Sequence, residues 1–251
     1  MHRHFEEIDS TNEEALRWGR DDAPHGAVVT AHSQSAGRGR RGRSWSSPGG
    51  KGLYLSVILR GTAKEFAREE LTLAAVPRLN FVACLATARA VHELTGHACQ
   101  TKWPNDVLLN GRKIAGVLSE AELCGGELDF AVVGVGLNVN QSEDELPERP
   151  LYPASSLQIE TRHAWPIEAV TQGWLHDWWV YYHQLRDGAW TEIRDEFWRR
   201  CAQNNQRVTV QNENKALSGL ALGLAQDGAL LLETQSGIER ILAGDLVQGS
   251  A

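Results

Sequence analysis

The sequence predicts an α+β protein, with a mixed or antiparallel sheet and helices in residues 1–203 and a small all-β domain in residues 204–251. Two observations lead to this prediction. In residues 1–203, short apolar stretches of strand length alternate with longer stretches whose apolar residues recur every three or four positions, as in helices. In residues 204–251, short leucine-rich or β-branched runs are divided by turn signals at Asp227-Gly228 and Ser236-Gly237, which predicts about five strands.

The first elements follow from local patterns. Phe5–Ile8 has the composition of a short strand. Ser10 and Glu13 then have the spacing of a capping box, which predicts a helix that runs to about Trp18. Two apolar runs, Gly26–His32 and Leu53–Leu59, predict the next two strands.

A long helix is predicted from about Leu71 to Leu94, ending at Gly96, and Pro77 is expected to kink or split it. Asn110-Gly111 is the strongest two-residue hairpin signal in the chain. The other predicted elements are strands at Val107–Leu109, Ile114–Ser119 and Leu128–Val139, and helices at Pro166–Leu185 and Trp190–Cys201.

Trp174, Trp178, Tyr181 and Leu185 form one apolar face of the helix predicted at Pro166–Leu185. Such aromatic residues could stack on bases, or they could belong to the core. Their helical period and the scarcity of basic residues nearby favour the core.

Composition excludes several classes of protein. The chain has 251 residues, 42% of them hydrophobic, and a net charge of −7, which is typical of a globular domain and argues against general binding of nucleic acids. Its four cysteines are far apart and form no CxxC pair, so we expect them to be reduced. No apolar run reaches the ~18 residues of a membrane span, and the sequence predicts a cytoplasmic protein.

Residues 34–43, the arginine–glycine loop, place four arginines among three glycines. Like charges at this density repel one another unless an anion neutralises them, and glycines let the backbone approach a ligand closely. Taken alone, such a tract more often binds RNA. Because it is one short copy between two predicted strands, we interpret it as an ordered loop that binds phosphate or carboxylate.

A second polar segment contains Lys102, Asn105 and Asp106, and it is open to two interpretations. These residues could form a turn after Pro104, or they could project into a pocket. Lys113 stands alone at the start of an apolar strand, where it is either an edge charge or a ligand-binding cation. The nine histidines form no convincing metal set, so no metal site is predicted.

Three segments occur together in a fixed order. They are STN at residues 10–12, QSAGRGRRGRSW at 34–45, and KWPNDV through KIAGVL at 102–118. In order and spacing they resemble the biotin protein ligases, and the likeness covers nearly the whole chain. The resemblance implies a catalytic domain like that of class II synthetases and an SH3-like C-terminal domain. Some members carry an N-terminal DNA-binding domain. Because STN begins at residue 10, we expect a form without one that binds no DNA.

The resemblance also implies the reaction. Biotin and ATP would form biotinyl-5′-adenylate, with Mg²⁺ accompanying ATP, and the biotinyl group would pass to a lysine of the biotin carboxyl carrier protein of acetyl-CoA carboxylase or a related carboxylase. A homodimer is left open. The implied catalytic residues are Lys113, Arg40 and Asp106, with Asp106 orienting or deprotonating the acceptor lysine. The implied biotin-binding residues are Ser10, Thr11, Asn12, Gln34, Gly37, Arg38, Gly39, Arg40, Lys113, Gly116 and Leu118. The implied ATP- or adenylate-binding residues are Arg38, Arg40, Arg43, Trp45, Asn105, Lys113 and Asn138, with Trp45 stacking on adenine.

Two alternatives stay open at this point. A lipoate or other acyl-protein ligase of the same fold would share the adenylate chemistry, although the arginine–glycine loop argues against it. A non-catalytic module that binds RNA or another anion would use the same loop without any reaction.

Overall fold

The computed structural model describes residues 1–60, 71–147, 153–212 and 215–248. A seven-stranded sheet with strand order β1-β2-β3-β7-β6-β5-β4 lies at its centre. The strands are β1 (His2–Ile8), β2 (Ala27–Gln34), β3 (Gly52–Arg60), β4 (Gln100–Lys102), β5 (Asp106–Leu109), β6 (Arg112–Cys124) and β7 (Glu127–Asn138). The helices are α1 (Thr11–Arg20), α2 (Val76–Thr95), α3 (Leu157–Thr161), α4 (Ile167–Arg186) and α5 (Trp190–Arg199).

The sheet is mixed, because β1 pairs in parallel with β2 and the other neighbouring strands pair antiparallel. Both of its faces are covered. Helix α1 packs on one face in a small cluster that contains Trp18, Ile58 and Phe130. Helices α2, α4 and α5 contribute to the larger core on the other face, where Trp174 and Trp178 are fully buried and stacked. The predicted fold class is confirmed, and these tryptophans belong to the core.

One local prediction was wrong, and one was confirmed in part. Ser10 occupies the N-cap position of α1, but its side chain makes no capping hydrogen bond. Glu13 does not reach back to it, because its carboxylate pairs with Arg38 of the arginine–glycine loop. Pro77 does not kink α2 but marks a split in the predicted stretch: Leu73–Ala75 form a separate 3₁₀ turn, and α2 begins at Val76 with Pro77 in its first turn, where a proline costs no hydrogen bond. The helix ends at Gly96 as predicted, in a left-handed conformation with φ 75°.

The hairpin at Asn110-Gly111 is confirmed. Both residues have positive φ, 51° and 76°, as a tight two-residue turn requires. The turn joins β5 to β6 and fixes their register, which places Asp106 opposite Gly116. It therefore positions two of the predicted site residues across the same pair of strands.

The small all-β domain is a five-stranded sheet with order β11-β10-β9-β8-β12. The Trp103 indole donates to the carbonyl of Gly228 at 3.0 Å, and the Trp190 indole donates to that of Gln226 at 2.6 Å, so this domain is fixed against the larger one. Residues 213–214 and 249–251 of the predicted domain lie outside the described residues. Its strands are β8 (Arg207–Asn212), β9 (Lys215–Leu224), β10 (Leu230–Thr234), β11 (Gly237–Ile241) and β12 (Asp245–Gln248).

Within the described ranges, no helix is long and apolar enough to cross a lipid bilayer.

Candidate active site

One pocket of about 1100 Å³ opens over the polar ends of β4–β7. The start of α1 and the arginine–glycine loop form part of its wall, and residues 244–246 of the small domain form part of its rim. The three segments that are separate in the sequence therefore meet in one place. The predicted site residues that line the pocket are Ser10, Thr11, Asn12, Gln34, Gly37, Arg38, Gly39, Arg40, Arg43, Trp45, Asn105, Asp106, Lys113, Gly116, Leu118 and Asn138.

The start of α1 is held rigidly at the pocket floor. The backbone N–H of Thr11 donates to Oε1 of Gln34 at 2.8 Å. The Asn12 amide accepts from Ser56 at 2.7 Å and donates to Glu120 at 2.9 Å. Because the side chain of Asn12 already has partners within the protein, it supports the pocket floor. Ser10, which is buried and makes no capping bond, is the better candidate for a ligand contact here.

Gly134 of β7 lies so close to Asn12 that a Cβ atom there would stand 1.8 Å from Oδ1 of that amide. We expect Gly134→Ala to lower the free energy of unfolding by about 1–3 kcal/mol, because the Asn12 network cannot move aside. Gly223→Ala in β9 is the matched control, since a Cβ there meets no atom within 4 Å. Equal urea midpoints for the two variants would contradict this account of the pocket floor.

Asp106 forms the centre of a buried lysine–aspartate cluster with Lys102 and Lys113. Its Oδ2 lies 2.9 Å from Nζ of Lys102, and its Oδ1 lies 2.7 Å from Nζ of Lys113. Burial alone would raise the pKa of Asp106, but the charges of the two lysines and their hydrogen bonds outweigh burial and lower the pKa to about 2. Such a carboxylate is a weak base. Of the two roles predicted for Asp106, the geometry therefore favours orienting an ammonium group over deprotonating it.

The two lysines of the cluster differ in their access to the pocket. The Lys102 side chain is 5% exposed and that of Lys113 is 26% exposed. Burial lowers the pKa of Lys102, while Asp106 opposes that shift. Lys113 is therefore the cation that an incoming anion can reach.

The arginine–glycine loop is partly neutralised by the protein itself. Arg38 pairs with Glu13 and also with Glu120 at 2.9 Å. Arg41 and Arg43 both contact Asp245 of β12, at 3.5 and 2.8 Å. Distant segments of the chain therefore supply the neutralising anions for three of the four arginines, and the predicted ligand contacts of Arg38 and Arg43 stay predictions.

Arg40 differs from the other three arginines. In the part of the chain that the structure describes, its guanidinium donates to the neutral amide of Asn105 at 3.0 Å. Burial lowers the pKa of Arg40, which reflects the cost of removing this cation from water. A partly desolvated cation without a paired carboxylate is suited to receive an anionic ligand.

Trp45 lies across the glycines of the pocket. A Cβ atom at Gly136 would stand 2.4 Å from its Nε1, and one at Gly116 would stand 3.1 Å from its ring. The Lys113 ammonium lies 5.3 Å from the ring centroid. Nε1 is buried and has no hydrogen-bond partner among the described residues. The ring therefore lies beside Gly116, which was assigned to biotin, and the stacking of Trp45 on adenine stays a prediction.

Asn138, predicted to bind ATP or the adenylate, has its side-chain amide engaged. It donates to the carbonyl of Ser155 at 2.9 Å and accepts from Gln141 at 3.2 Å. Gln141 is buried beside it, and its Oε1 has no partner in the described residues. Gln141, Glu120 and Asp245 were missed by sequence reasoning, since polar residues without a motif give no local signal.

Asp245 holds the arginine–glycine loop to the small domain, so we expect Asp245→Asn to accelerate tryptic cleavage after Arg41 and Arg43. Surface ion pairs contribute only about 0–1 kcal/mol each, so the melting temperature should change little. Asp227→Asn is the control, because Asp227 pairs with Arg240 at 2.7 Å in the same domain. Unchanged cleavage of the loop in Asp245→Asn would show that Asp245 does not restrain it.

A mixed sheet that gathers cations at one pocket, with a β-domain at its rim, defines a protein that binds anionic ligands. Comparisons with known proteins specify the family. Residues 4–138 match the biotin/lipoate A/B protein ligase family, and residues 205–247 match the biotin protein ligase C-terminal domain. The chain therefore belongs to the biotin protein ligases of this family.

Individual relatives agree with this family. The chain is 33% identical to the biotin–[acetyl-CoA-carboxylase] ligase of Paracoccus denitrificans, over 96% of this chain and 98% of that protein. It is 32% identical to the bifunctional ligase/repressor BirA of Bacillus spizizenii, over 96% of this chain and 72% of that protein. The structure of the Aquifex aeolicus biotin protein ligase in complex with biotin and ATP superposes with a TM-score of 0.81, at 29% identity and with 99% of each chain covered.

Proposed function

We propose that the pocket of this ATP-dependent biotin protein ligase binds biotin and ATP side by side, with their reacting atoms at Lys113. The observation that carries this proposal is the position of Lys113, a partly exposed cation on a buried carboxylate, beside the loop that holds Arg40. The biotin carboxylate and the α-phosphate are both anions, and a fixed cation between them offsets their repulsion.

The reaction has two steps. In the first, a biotin carboxylate oxygen attacks the α-phosphorus, and the bond to the β-phosphate breaks to release diphosphate. In the second, the acceptor ammonium first gives a proton to solvent, its amine attacks the acyl carbon of biotinyl-5′-adenylate, the bond from that carbon to the AMP oxygen breaks, and the nitrogen gives its second proton to solvent. Lys113 stabilises the negative charge that develops in each step.

The two ligands occupy different ends of the pocket. Biotin lies against Ser10, Thr11 and Gln34, with Gly116 and Leu118 along its side. The nucleotide lies toward Arg40, Arg43, Asn105 and Asn138. Trp45 lies between the ends and covers the adenylate together with the arginine–glycine loop, which excludes water from the reactive anhydride.

Mg²⁺ enters the site with ATP as part of the substrate. Within the described segments, no group of three or more His, Cys, Asp or Glu side chains could hold a metal ion. Both oxygens of Asp106 already face lysine ammonium groups. The donors present therefore do not fit a site for the ion alone, and the ATP phosphates supply its main ligands.

The acceptor is a biotin carboxyl carrier protein, as in acetyl-CoA carboxylase, and its lysine reaches Asp106 from the pocket mouth. We expect the enzyme to work in the cytoplasm, because Cys84, Cys99, Cys124 and Cys201 are all free, as is usual in a reducing compartment. The oligomeric state can be measured by sedimentation, and a homodimer is one of the expected states.

The test is ATP–diphosphate exchange measured with biotin, with lipoate and with no acid. We expect exchange with biotin alone. Exchange with lipoate at a comparable rate would instead favour the lipoate ligases, which share the family. Absence of exchange with every acid would favour a binding module.

A further inference from the structure

Lys102 is a buried lysine to which the proposed reaction gives no role. It ends β4, and it is the direct cross-strand partner of Asp106 on β5. Its side chain is 5% exposed, so an incoming ligand does not reach it as it reaches Lys113. Burying a lysine is costly, and a simple turn in this position does not need one.

The key observation is that the Asp106 carboxylate pairs with two lysines at the same time. Each carboxylate oxygen has its own ammonium partner, at 2.9 Å for Lys102 and 2.7 Å for Lys113. When biotin and ATP bind, their anionic groups compete for Lys113. Without Lys102, this fully buried carboxylate would then lose its counter-ion and take up a proton.

The other groups that face the cluster do not substitute for Lys102. Arg40 is hydrogen-bonded to Asn105, and Asp245 is paired with Arg41 and Arg43. Two buried cysteines, Cys84 and Cys201, also interact with the charges of the cluster. Burial raises the pKa of Cys84 well above its usual value and that of Cys201 to about 11, so both are neutral thiols.

We propose that Lys102 is a positioning residue that keeps Asp106 ionised and in place while Lys113 serves the reacting anions. The inference rests on the proposed function. It predicts that the two lysines are separable: Lys113 acts in both steps, whereas Lys102 acts mainly in the transfer step, where Asp106 must orient the acceptor ammonium.

The test variant is K102M, which keeps the length of the side chain and removes its charge. It should fold, because Lys113 still neutralises Asp106 in the empty protein. Each neighbouring cation lowers an aspartate pKa by about 1–3 units, so losing Lys102 to the substitution and Lys113 to the ligand anions removes about 2–6 units of lowering from a carboxyl group whose pKa burial raises. We expect biotinyl transfer from pre-formed biotinyl-5′-adenylate to a carrier domain to fall at least about tenfold at pH 6 and to recover by pH 9. ATP–diphosphate exchange should change by no more than about threefold.

Two further variants serve as controls. Lys102→Arg keeps the charge and should retain the wild-type pH profile of transfer. Lys51→Met removes a lysine whose ammonium pairs with Glu145 at 3.5 Å on the surface, and it should change neither step. A K102M protein with the wild-type transfer profile, or with exchange and transfer reduced equally, would overturn the inference.

Infrared difference spectra provide a readout that does not depend on activity. Binding of the adenylate at pH 6 should produce the band of a protonated carboxyl group in K102M, and Asp106→Asn should remove that band. If K102M does not fold, the infrared difference spectrum of the wild type tests the inference instead. An Asp106 carboxyl band on adenylate binding overturns the inference, and its absence supports it. Failure of the proposed function would appear separately, as absence of biotin-dependent exchange in the wild type.

Discussion

Lys113→Ala is expected to lower biotin-dependent ATP–diphosphate exchange by about 10²–10³, equivalent to about 3–4 kcal/mol of transition-state stabilisation. Nζ of this lysine lies 2.7 Å from Asp106 and faces the pocket, so it can reach both anions. Carrier biotinylation should fall at least as far, because in the proposed mechanism the same cation serves both steps. The fold should survive, since Lys102 still neutralises Asp106. Exchange rates and melting temperature measured on the same preparation check both statements.

Lys51→Ala is the matched control for this variant. Lys51 pairs with Glu145 at 3.5 Å outside the cluster, and its loss should change exchange less than about twofold and stability by no more than about 0.5 kcal/mol. A folded Lys113→Ala protein that kept more than about half of its exchange rate would place this lysine outside the reaction.

Asp106→Asn has the largest expected effect on stability. It leaves Lys102 buried without its counter-ion, and breaking a buried ion pair in this way costs about 3–5 kcal/mol. Urea unfolding at pH 7 gives the difference from the wild type. The double variant Asp106→Leu with Lys102→Met removes both charges and should recover much of that loss. A double variant no more stable than Asp106→Asn would contradict the ion-pair explanation.

The pH dependence of stability in the wild type and in Asp106→Asn follows from the same charges. In the wild type, the folded pKa of Asp106 is about 2, below the ordinary value of 3.8. Its contribution to stability is therefore fully present above pH 3.8 and is lost as the pH falls through 2. In Asp106→Asn, burial depresses the folded pKa of Lys102 further, because the Asp106 carboxylate no longer opposes it. The unfolded chain then binds the extra proton, so the variant gains stability as the pH rises toward 10.5, the ordinary lysine value.

Predictions from local patterns were most accurate where a backbone conformation needs a particular residue. Asn110-Gly111 predicted its hairpin because few other residues adopt positive φ at both turn positions. Gly96 ended its helix for the same reason. The Ser10–Glu13 capping box failed, although its spacing was correct, because Arg38 is a stronger partner for Glu13 than a backbone N–H.

In the candidate site, too, sequence patterns did not predict contacts between segments that are far apart in the chain. Motifs placed all the predicted residues around one pocket, since each motif has a local sequence signature. They did not show that Glu120 would hold Asn12 and Arg38, or that Asp245 would hold the arginine–glycine loop, because these contacts join segments 82 to 204 residues apart. They also gave no indication that Asp106 would be shared between two lysines.

The carboxylates that hold Arg38, Arg41 and Arg43 have a consequence for selectivity inside a cell. Chloride, free phosphate and other small solutes are abundant there, and an exposed cluster of guanidinium groups would collect them without discrimination. Here such solutes must compete with acidic side chains that are already in place, so they gain little by approaching the loop. A large ligand that engages Arg40, Lys113 and the pocket floor together does not face that competition at every contact. We therefore expect chloride and free phosphate to bind this loop more weakly than they would bind unpaired arginines.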